Sequence, residues 1–264
     1  MAYVHGYAAD EARRLGDQAE VLEGLLHRGT RYPPGARVLE LGCGVGAQSV
    51  ALARRSPQAC FFCVDRDPGS LAQAAARCAA AGLANLRFLP ADAEALPFPE
   101  AHFDHAFVCF VLEHLADPAR ALAELRRVLR PGGSLTVIEG DHGSALFSPE
   151  APAAQAVIAA LVAAQRRAGG DALIGRRLFA LLREAGFGRV RVRPRVVYAD
   201  ASRPAVVGGF VRRTFIAMVA GARGQTSLPA ATFAAGLAAL ERTTCPDGSF
   251  AYTFFKAVAR RRAG

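Results

Sequence analysis

The chain lacks the features that would place it in a membrane or outside the cell. No apolar run reaches 18 residues, and the Ala-rich stretch 153–164 contains Gln155 and is too short to span a bilayer. The N-terminal sequence has neither a basic start nor an apolar stretch, so it does not have the pattern of a secretory signal. We therefore expect a cytoplasmic protein that does not contact a membrane.

A complete cysteine motif for metal binding or redox chemistry is also missing. Among six cysteines, Cys60 and Cys63 form a single CxxC in a segment whose sequence predicts a strand. On a strand their thiols would point to opposite faces. No second CxxC or His pair follows to complete a tetrahedral metal site. The pattern favours reduced cysteines in the core, with no metal.

Lysine is almost absent. The formal net charge is +9, yet Lys256 is the only lysine among 32 basic residues. The arginines are scattered, or alternate along one strand between Arg189 and Arg195, and do not form a basic patch interleaved with aromatic side chains. This Arg- and Ala-rich composition is typical of a GC-rich bacterial genome, and we do not expect binding to nucleic acid.

Short apolar strands alternate with helices along the chain. A composition of 52% hydrophobic and 21% charged residues supports a sizeable core. The alternation predicts an α/β fold, a doubly wound sheet of seven strands covered on both faces. Strands are expected at 37–42, 60–65, 86–90, 103–110, 135–139, 190–198 and 250–259.

Three helical segments fall outside this alternation and are predicted to cap a single domain. They are an N-terminal lid at 1–32 and two insertions at 143–172 and 200–246. No linker or internal repeat divides the chain, so one core is expected. That core would comprise 33–142, 173–199 and 247–264.

The most specific motif is the segment ValLeuGluLeuGlyCysGlyValGly at 38–46. A buried strand runs into Gly42, Gly44 and Gly46, and a helix follows. Glycines let a backbone turn tightly and approach a ligand, and dinucleotide-binding folds use the related but longer GxGxxG spacing. Asp65 ends the next strand, where its carboxylate can accept hydrogen bonds from both hydroxyls of a ribose. An ordinary tight turn is the alternative, but Asp67 is better placed than Asp65 to cap the following helix.

With these residues, the chain resembles the class I S-adenosylmethionine-dependent methyltransferases. Three further segments match in the family's order: 88–98 around Asp92, 103–118, and 129–135 with its ProGlyGly turn. The resemblance implies a Rossmann-like sheet with an antiparallel seventh strand, S-adenosylmethionine as cofactor and S-adenosylhomocysteine as product. It also implies that Asp92 accepts from the adenine amino group and that the Ala93 backbone meets the ring. The residues expected to bind the cofactor are Glu40, Gly42, Cys43, Gly44, Gly46, Asp65, Arg66, Asp92, Ala93, Phe110, Val111, His114 and Gln18.

Methyl transfer from a sulfonium is a direct displacement, so the protein mainly aligns the reactants and excludes water. A base is needed only where the nucleophile must lose a proton. His142, flanked by Gly140 and Gly143 after strand five, is the first candidate for that base, although a capping or surface role fits equally well. Glu113 and Tyr7 are the alternative catalytic residues.

Aromatic side chains in the cap suggest an apolar substrate, although such stripes also pack protein cores. The resemblance extends to bacterial methyltransferases of secondary metabolism, which implies a small aromatic or heteroaromatic substrate, including indole types. We expect methylation on carbon or nitrogen rather than oxygen, by a monomer or a homodimer. The residues expected to bind the substrate are Tyr7, Phe147, Phe179, Phe210, Phe215 and Met218.

Four alternatives remain. A quinone or lipid C-methyltransferase would share the same motifs, and so would a homologue that binds the cofactor without catalysis. A nucleic-acid methyltransferase is disfavoured, because PheValLeuGlu stands where the DNA-amino type has its ProPro tetrad, and the chain has no ProCys pair. A nicotinamide oxidoreductase is disfavoured by the glycine spacing and the single lysine.

Overall fold

Seven strands form one sheet in the order β3-β2-β1-β4-β5-β7-β6 in the computed structural model, which describes residues 19–263. The neighbouring strands from β3 through to β5 pair in parallel, and β7 runs antiparallel to both β5 and β6. This confirms the predicted fold class. The strands are β1 Arg37–Leu41, β2 Cys60–Asp65, β3 Leu86–Pro90, β4 Phe103–Cys109, β5 Leu129–Ser148, β6 Phe187–Asp200 and β7 Ser249–Arg261.

Helices cover both faces of the sheet. Asp67 and Asp117 begin two of them as N-caps, each followed by a proline, and the Asp67 carboxylate accepts from the amide of Ser70 at 2.7 Å. The core helices are α2 Ala47–Arg55, α3 Pro68–Ala80, α4 Pro118–Val128 and α6 Leu178–Glu184, and α1 at 19–26 is the described part of the N-terminal segment. The insertions contribute α5 Pro152–Arg167, α7 Pro204–Val206, a π-helix Val207–Ile216, α8 Ala217–Gly221 and α9 Ala230–Arg242.

Strand β5 is longer than the sequence predicts. Residues 143–148, expected in the first helical insertion, continue β5 as far as Ser148 after an irregularity between Asp141 and Leu146. At this irregularity the Ser144 hydroxyl donates to the Asp141 carbonyl at 2.7 Å and accepts from the Thr253 amide at 2.9 Å. The Ser144 side chain replaces the missing backbone pairing, so β5 continues through a Gly- and Ser-containing stretch whose sequence does not predict a strand.

The cap segments pack against each other where glycines permit close approach. Gly236 of α9 lies so close to Val157 and to the Ala153 carbonyl of α5 that a Cβ atom would clash with them. Gly209 of the π-helix is crowded in the same way by Val21 of α1. The described part of the N-terminal helix and both insertions therefore meet.

The first insertion also contacts the carboxyl ends of the strands. The Asp171 amide donates to the Glu113 carbonyl at 2.8 Å, just after β4. The His142 amide, on β5, donates to the Ala172 carbonyl at 3.0 Å. The segment after α5 therefore lies at the edge of the sheet where ligands bind in open α/β folds.

Lys256 fixes the end of α1 to the sheet. Its Nζ donates to the carbonyls of Leu26 and Arg28 at 3.0 and 3.1 Å and to the hydroxyl of Thr30. The side chain is buried, and this burial lowers the pKa of its ammonium to about 8. A cation that donates hydrogen bonds to the carbonyl groups at the end of a helix stabilises that end.

The thiols of the single CxxC face opposite sides of β2, as predicted. Cys63 is buried in the core and Cys60 is exposed, so the expectation of core cysteines is wrong for Cys60. A strand places residues three apart on opposite faces, and Cys60 is the first residue of β2.

Among the described residues, one helical run is long and apolar enough to cross a membrane by length and composition. This run is Pro204–Gln225, and half of its most apolar stretch is buried against the rest of the protein. Its exposed positions include Arg212 and Arg213. Core helices of globular proteins share these features, so the run alone does not indicate a membrane span.

Candidate active site

The three glycines after β1 all have positive φ, at +68° for Gly42, +51° for Gly44 and +76° for Gly46. A Cβ at Gly42 would clash with Val111, and one at Gly46 would lie 2.9 Å from Ala74 of α3. A Cβ at Gly44 would meet nothing within 4 Å. Packing therefore requires Gly42 and Gly46, whereas Gly44 faces open space that a ligand can enter.

Asp65 at the end of β2 holds this loop. Its Oδ2 accepts from the Gly44 amide at 2.8 Å and its Oδ1 from the Asp67 amide at 3.0 Å. Each carboxylate oxygen has a second lone pair, so the half-buried side chain can still accept from two hydroxyls. Cys43 is buried within the loop, and Arg66 is exposed beside it.

Glu40 lies behind the loop. Its Oε2 accepts from the hydroxyl of Ser49 in α2 at 2.6 Å, and the carboxyl is almost fully buried. Burial raises the pKa of Glu40 to about 7, against opposing hydrogen bonds from Ser49 and Cys63. The contacts observed for Glu40 tie β1 to α2.

The segment expected to meet the adenine follows β3. Asp92 is exposed, and its Oδ1 accepts from the Glu94 amide at 2.9 Å. Ala93 is half-buried and packs against the core beneath the sheet. This side-chain-stabilised turn lies beside the end of β2, because the Ala91 amide donates to the Asp65 carbonyl at 3.0 Å.

The chain turns sharply after β4. Phe110 adopts a φ of +58°, a left-handed conformation that is rare for a bulky residue and typical of functional sites. Its amide donates to the Ile138 carbonyl at 2.9 Å. The turn places the side chain of Val111 against Gly42, so the segment after β4 contacts the glycine loop after β1.

Two buried carboxyl groups lie beneath this turn. Oε1 of Glu139, to which the sequence analysis assigned no role, accepts from the amides of Val111 and Leu112 at 3.1 and 2.8 Å. Burial, followed by the charge of Glu113, raises the pKa of Glu139 well above its ordinary value. Gln165 of α5 donates to the Glu113 carbonyl at 3.1 Å, and His114 Nε2 lies 3.6 Å from Glu113 Oε1.

His142 is buried near the end of β5, with its Nδ1 2.7 Å from the hydroxyl of Tyr252 in β7. The flanking glycines make room for protein side chains, where the sequence analysis expected space for a ligand. A Cβ at Gly140 would clash with the Tyr252 hydroxyl, and one at Gly143 would lie 2.8 Å from Nη2 of Arg176.

Aromatic rings pack together between the cap and strand β7. Neighbouring rings have centroid separations between 4.8 and 6.3 Å. The ring of Phe110 reaches this group through Phe254 at 5.3 Å, and that of His142 reaches it through Tyr252 at 5.9 Å. We call Phe210, Phe215, Phe250, Tyr252 and Phe254 the aromatic cluster.

The aromatic cluster contains two of the predicted substrate residues, Phe210 and Phe215. Met218 belongs to the same buried core, and Phe147 stacks on Phe250 at 6.5 Å. Phe179 does not join it, because it lies on α6 and is 56% exposed. Tyr7 and Gln18 lie outside the described residues.

Sequence reasoning missed Tyr252, although a signal for it was present. Phe250, Tyr252 and Phe254 alternate in β7, and a strand directs alternate residues to one face. A row of three aromatic side chains on that face predicts an aromatic layer. Its position beneath the cap depends on long-range pairing of β7 with β5 and β6, which no local pattern specifies.

The fold and the site together define a class of protein. An antiparallel seventh strand, a glycine loop after β1 and an acidic residue ending β2 are the arrangement of Rossmann-like, S-adenosylmethionine-dependent methyltransferases. Residues 39–137 match the family described as "Methyltransferase domain". Over these residues the chain matches a methyltransferase domain, which agrees with the predicted class and with S-adenosylmethionine as the predicted cofactor.

The sequence relatives match this chain over only part of their own length. A demethylmenaquinone methyltransferase of Thermus thermophilus is 45% identical over 103 residues, which are 39% of this chain and 46% of that protein. An uncharacterized 37.1 kDa protein in a transposon of Streptomyces fradiae is 36% identical over 191 residues, 71% of this chain and 54% of that protein. The chain thus spans about half the length of these curated relatives.

Solved structures share the fold over nearly the whole chain. YcgJ of Bacillus subtilis has a TM-score of 0.59 at 17% identity, covering 96% of this chain and 100% of its own. The (4+2)-cyclase SpnF has a TM-score of 0.57 at 24% identity, covering 96% of this chain and 82% of its own. Because one of these is a cyclase, the fold by itself does not determine the reaction.

Proposed function

We propose that the chain transfers a methyl group from S-adenosylmethionine to carbon or nitrogen of a small aromatic or heteroaromatic metabolite, indole types included. The observation that carries this proposal is the aromatic cluster beneath the cap. It lies next to Phe110, whose strained turn contacts the glycine loop through Val111. A planar apolar substrate held there would lie beside the cofactor cleft.

The residues present fit the cofactor. Gly44 opens onto free space, and the carboxylate of Asp65 retains acceptor capacity for ribose hydroxyls. When bound, S-adenosylmethionine supplies a methyl group already activated by the sulfonium. The protein's part is to align the nucleophile and exclude water, tasks for which the packed cap is suited.

The aromatic cluster supports this transfer in two ways. Its rings are buried against one another and the cap, and they would offer offset or edge-on stacking to a planar substrate where that packing opens. Positive charge moves from the sulfonium onto the substrate during transfer, and aromatic faces attract cations. Within the described residues we assign substrate contacts to Phe147, Phe210, Phe215 and Met218.

A quinone C-methyltransferase is the second candidate. The Thermus thermophilus relative and a Bordetella avium relative, 40% identical over 121 residues, are named as quinone-pathway methyltransferases. These matches cover 39% and 46% of this chain, too little to include both the cofactor half and the whole cap. A quinol ring would suit the aromatic cluster as an indole does, so turnover assays should include both substrate types.

Calorimetric titration tests the cofactor step. The protein should bind S-adenosylhomocysteine, and Asp65→Ala should weaken that binding by about 1.5–3 kcal/mol, because charge-assisted hydrogen bonds to the ribose are lost. Asp104→Ala is the matched control, since Asp104 accepts from the Arg37 amide at the start of β1, at the opposite edge of the sheet. Binding of NAD without any response to S-adenosylhomocysteine would refute the proposal.

A further inference from the structure

The hydroxyl of Tyr252 is enclosed and has two polar neighbours. His142 Nδ1 lies 2.7 Å from it, and the backbone of Asp141 is also nearby. Burial raises the pKa of Tyr252 well above its ordinary value, and the nearby carboxylates of Glu113 and Asp141 act in the same direction. Tyr252 therefore keeps its proton.

The arrangement fixes where that proton points. Tyr252 is almost fully buried, and a buried O–H needs an acceptor. Among the described residues His142 Nδ1 lies at hydrogen-bond distance from it, so the O–H is directed at that nitrogen. A neutral imidazole has one donor and one acceptor nitrogen. If Nδ1 accepts from Tyr252, the imidazole proton must reside on Nε2.

We propose that Tyr252 is a positioning residue that holds His142 as the Nε2–H tautomer, a hydrogen-bond donor and not a base. The surroundings keep this pair in register. Gly140 leaves room for the Tyr252 hydroxyl. The Arg176 guanidinium donates two hydrogen bonds, of 2.6 and 2.8 Å, to the Asp141 carboxylate. Phe215 of the cap packs edge-on against the His142 ring at 6.4 Å.

The inference rests on the proposed function and narrows its substrate class. With Nδ1 occupied, His142 cannot take a proton from the nucleophile during transfer. The nucleophile's electron pair forms the bond to the methyl carbon, the C–S pair stays on sulfur, and positive charge passes to the substrate. This suits a ring carbon, whose proton leaves to water afterwards, or an amine nitrogen with a free lone pair.

The tautomer can be measured without a substrate. In protein labelled with ¹⁵N-histidine, long-range ¹⁵N–¹H correlation spectra distinguish protonated from unprotonated ring nitrogens, and His142→Gln assigns the His142 signals. We expect a protonated Nε2 and an unprotonated, hydrogen-bonded Nδ1. In Tyr252→Phe the Nδ1 acceptor signature should be lost, whereas Tyr198→Phe, which removes an exposed hydroxyl on β6, should leave it intact.

A wild-type spectrum with the proton on Nδ1, or on both nitrogens at neutral pH, overturns the inference. So does a Tyr252→Phe spectrum identical to wild type. If Tyr252→Phe fails to fold, the wild-type spectrum still decides. Calorimetry with S-adenosylhomocysteine separates this from the proposed function: Tyr252→Phe should bind it as wild type does, whereas failure of the proposed function would abolish binding in both proteins.

Discussion

Gly44 and Gly46 share a left-handed backbone but serve different purposes. Any side chain at either position must accept a positive φ, at a cost of roughly 1–2 kcal/mol. At Gly46 an added Cβ must also displace Ala74 of α3, whereas at Gly44 it projects into the open cleft. We predict that Gly46→Ala loses more folding stability than Gly44→Ala, by at least about 1 kcal/mol.

The order of the two variants should be reversed for ligand affinity. Gly44→Ala places a methyl group where the cofactor approaches, so it should weaken S-adenosylhomocysteine binding while the fold persists. Urea denaturation and calorimetry of the two variants measure both effects. Equal stability losses, or unchanged affinity in Gly44→Ala, would contradict this division of roles.

Local sequence is sufficient to locate the glycine loop and the strand end that carries Asp65, because two strands, a turn and a helix cap lie within thirty or so residues of one another. It does not pair Tyr252 with His142, which is 110 positions away in sequence. Nor does it place Phe179 apart from the aromatic cluster, because periodicity does not tell which face of the sheet a helix covers.

The contact between α5 and α9 depends on one glycine. Gly236 lets the helices approach until Val157 and the Ala153 carbonyl fill the place of its side chain. Gly236→Val should therefore separate the two helices and destabilise the cap by about 1–3 kcal/mol. Gly221→Ala is a suitable control, because a Cβ there meets nothing within 4 Å.

Hydrogen exchange can localise this effect. Amides of α5 and α9 should lose protection in Gly236→Val, while those of β1 and β2 should keep theirs. Loss of protection throughout the sheet would show that the cap does not open independently of the core.

At the level of elements, all seven predicted strands are present, while their lengths differ from the prediction. Strand β5 extends nine residues beyond its predicted end at Glu139, to Ser148, because β7 supplies pairing partners as far as Ser249. The sequence GlyAspHisGlySer contains few strand-forming residues, so no local preference reveals this extension. The second insertion was predicted to be helical, and its first long helix is largely a π-helix, which a periodicity of 3.6 does not anticipate.

The stability of the whole molecule should depend on pH through Glu40. Its pKa is raised from 4.5 to about 7 in the folded protein, so the native state holds a proton that the unfolded chain has released. This contribution is present below about pH 4.5 and is lost as pH rises through 7. The shift corresponds to about 3 kcal/mol.

Comparison with Glu40→Gln isolates this term, because the remaining titrating groups are shared. The difference in unfolding free energy between wild type and Glu40→Gln should fall by about 3 kcal/mol from pH 4.5 to pH 8. Glu20→Gln, on the exposed face of α1, should show no such change. A pH-independent difference for Glu40→Gln would mean that its carboxyl remains ionised in the fold.

The overall topology followed from the alternation of strands and helices combined with the family resemblance. Alternation implies a parallel sheet, but the reversal of β7 came only from the resemblance. How α1 and the two insertions assemble depends on Gly209 and Gly236, which resemble any other helix glycine in the sequence. The sequence of such a protein therefore predicts its substrate-binding residues less well than its cofactor-binding residues.

Lys256 has a practical consequence for chemistry in solution. It is the chain's only lysine, and in the fold its ammonium is buried against carbonyl oxygens of residues 26 and 28. Amine-reactive reagents therefore have no exposed lysine to attack while α1 stays docked on the sheet. Acylation of Lys256 therefore requires α1 to lift away, and the acylated fraction that mass spectrometry measures over time reports how readily this happens.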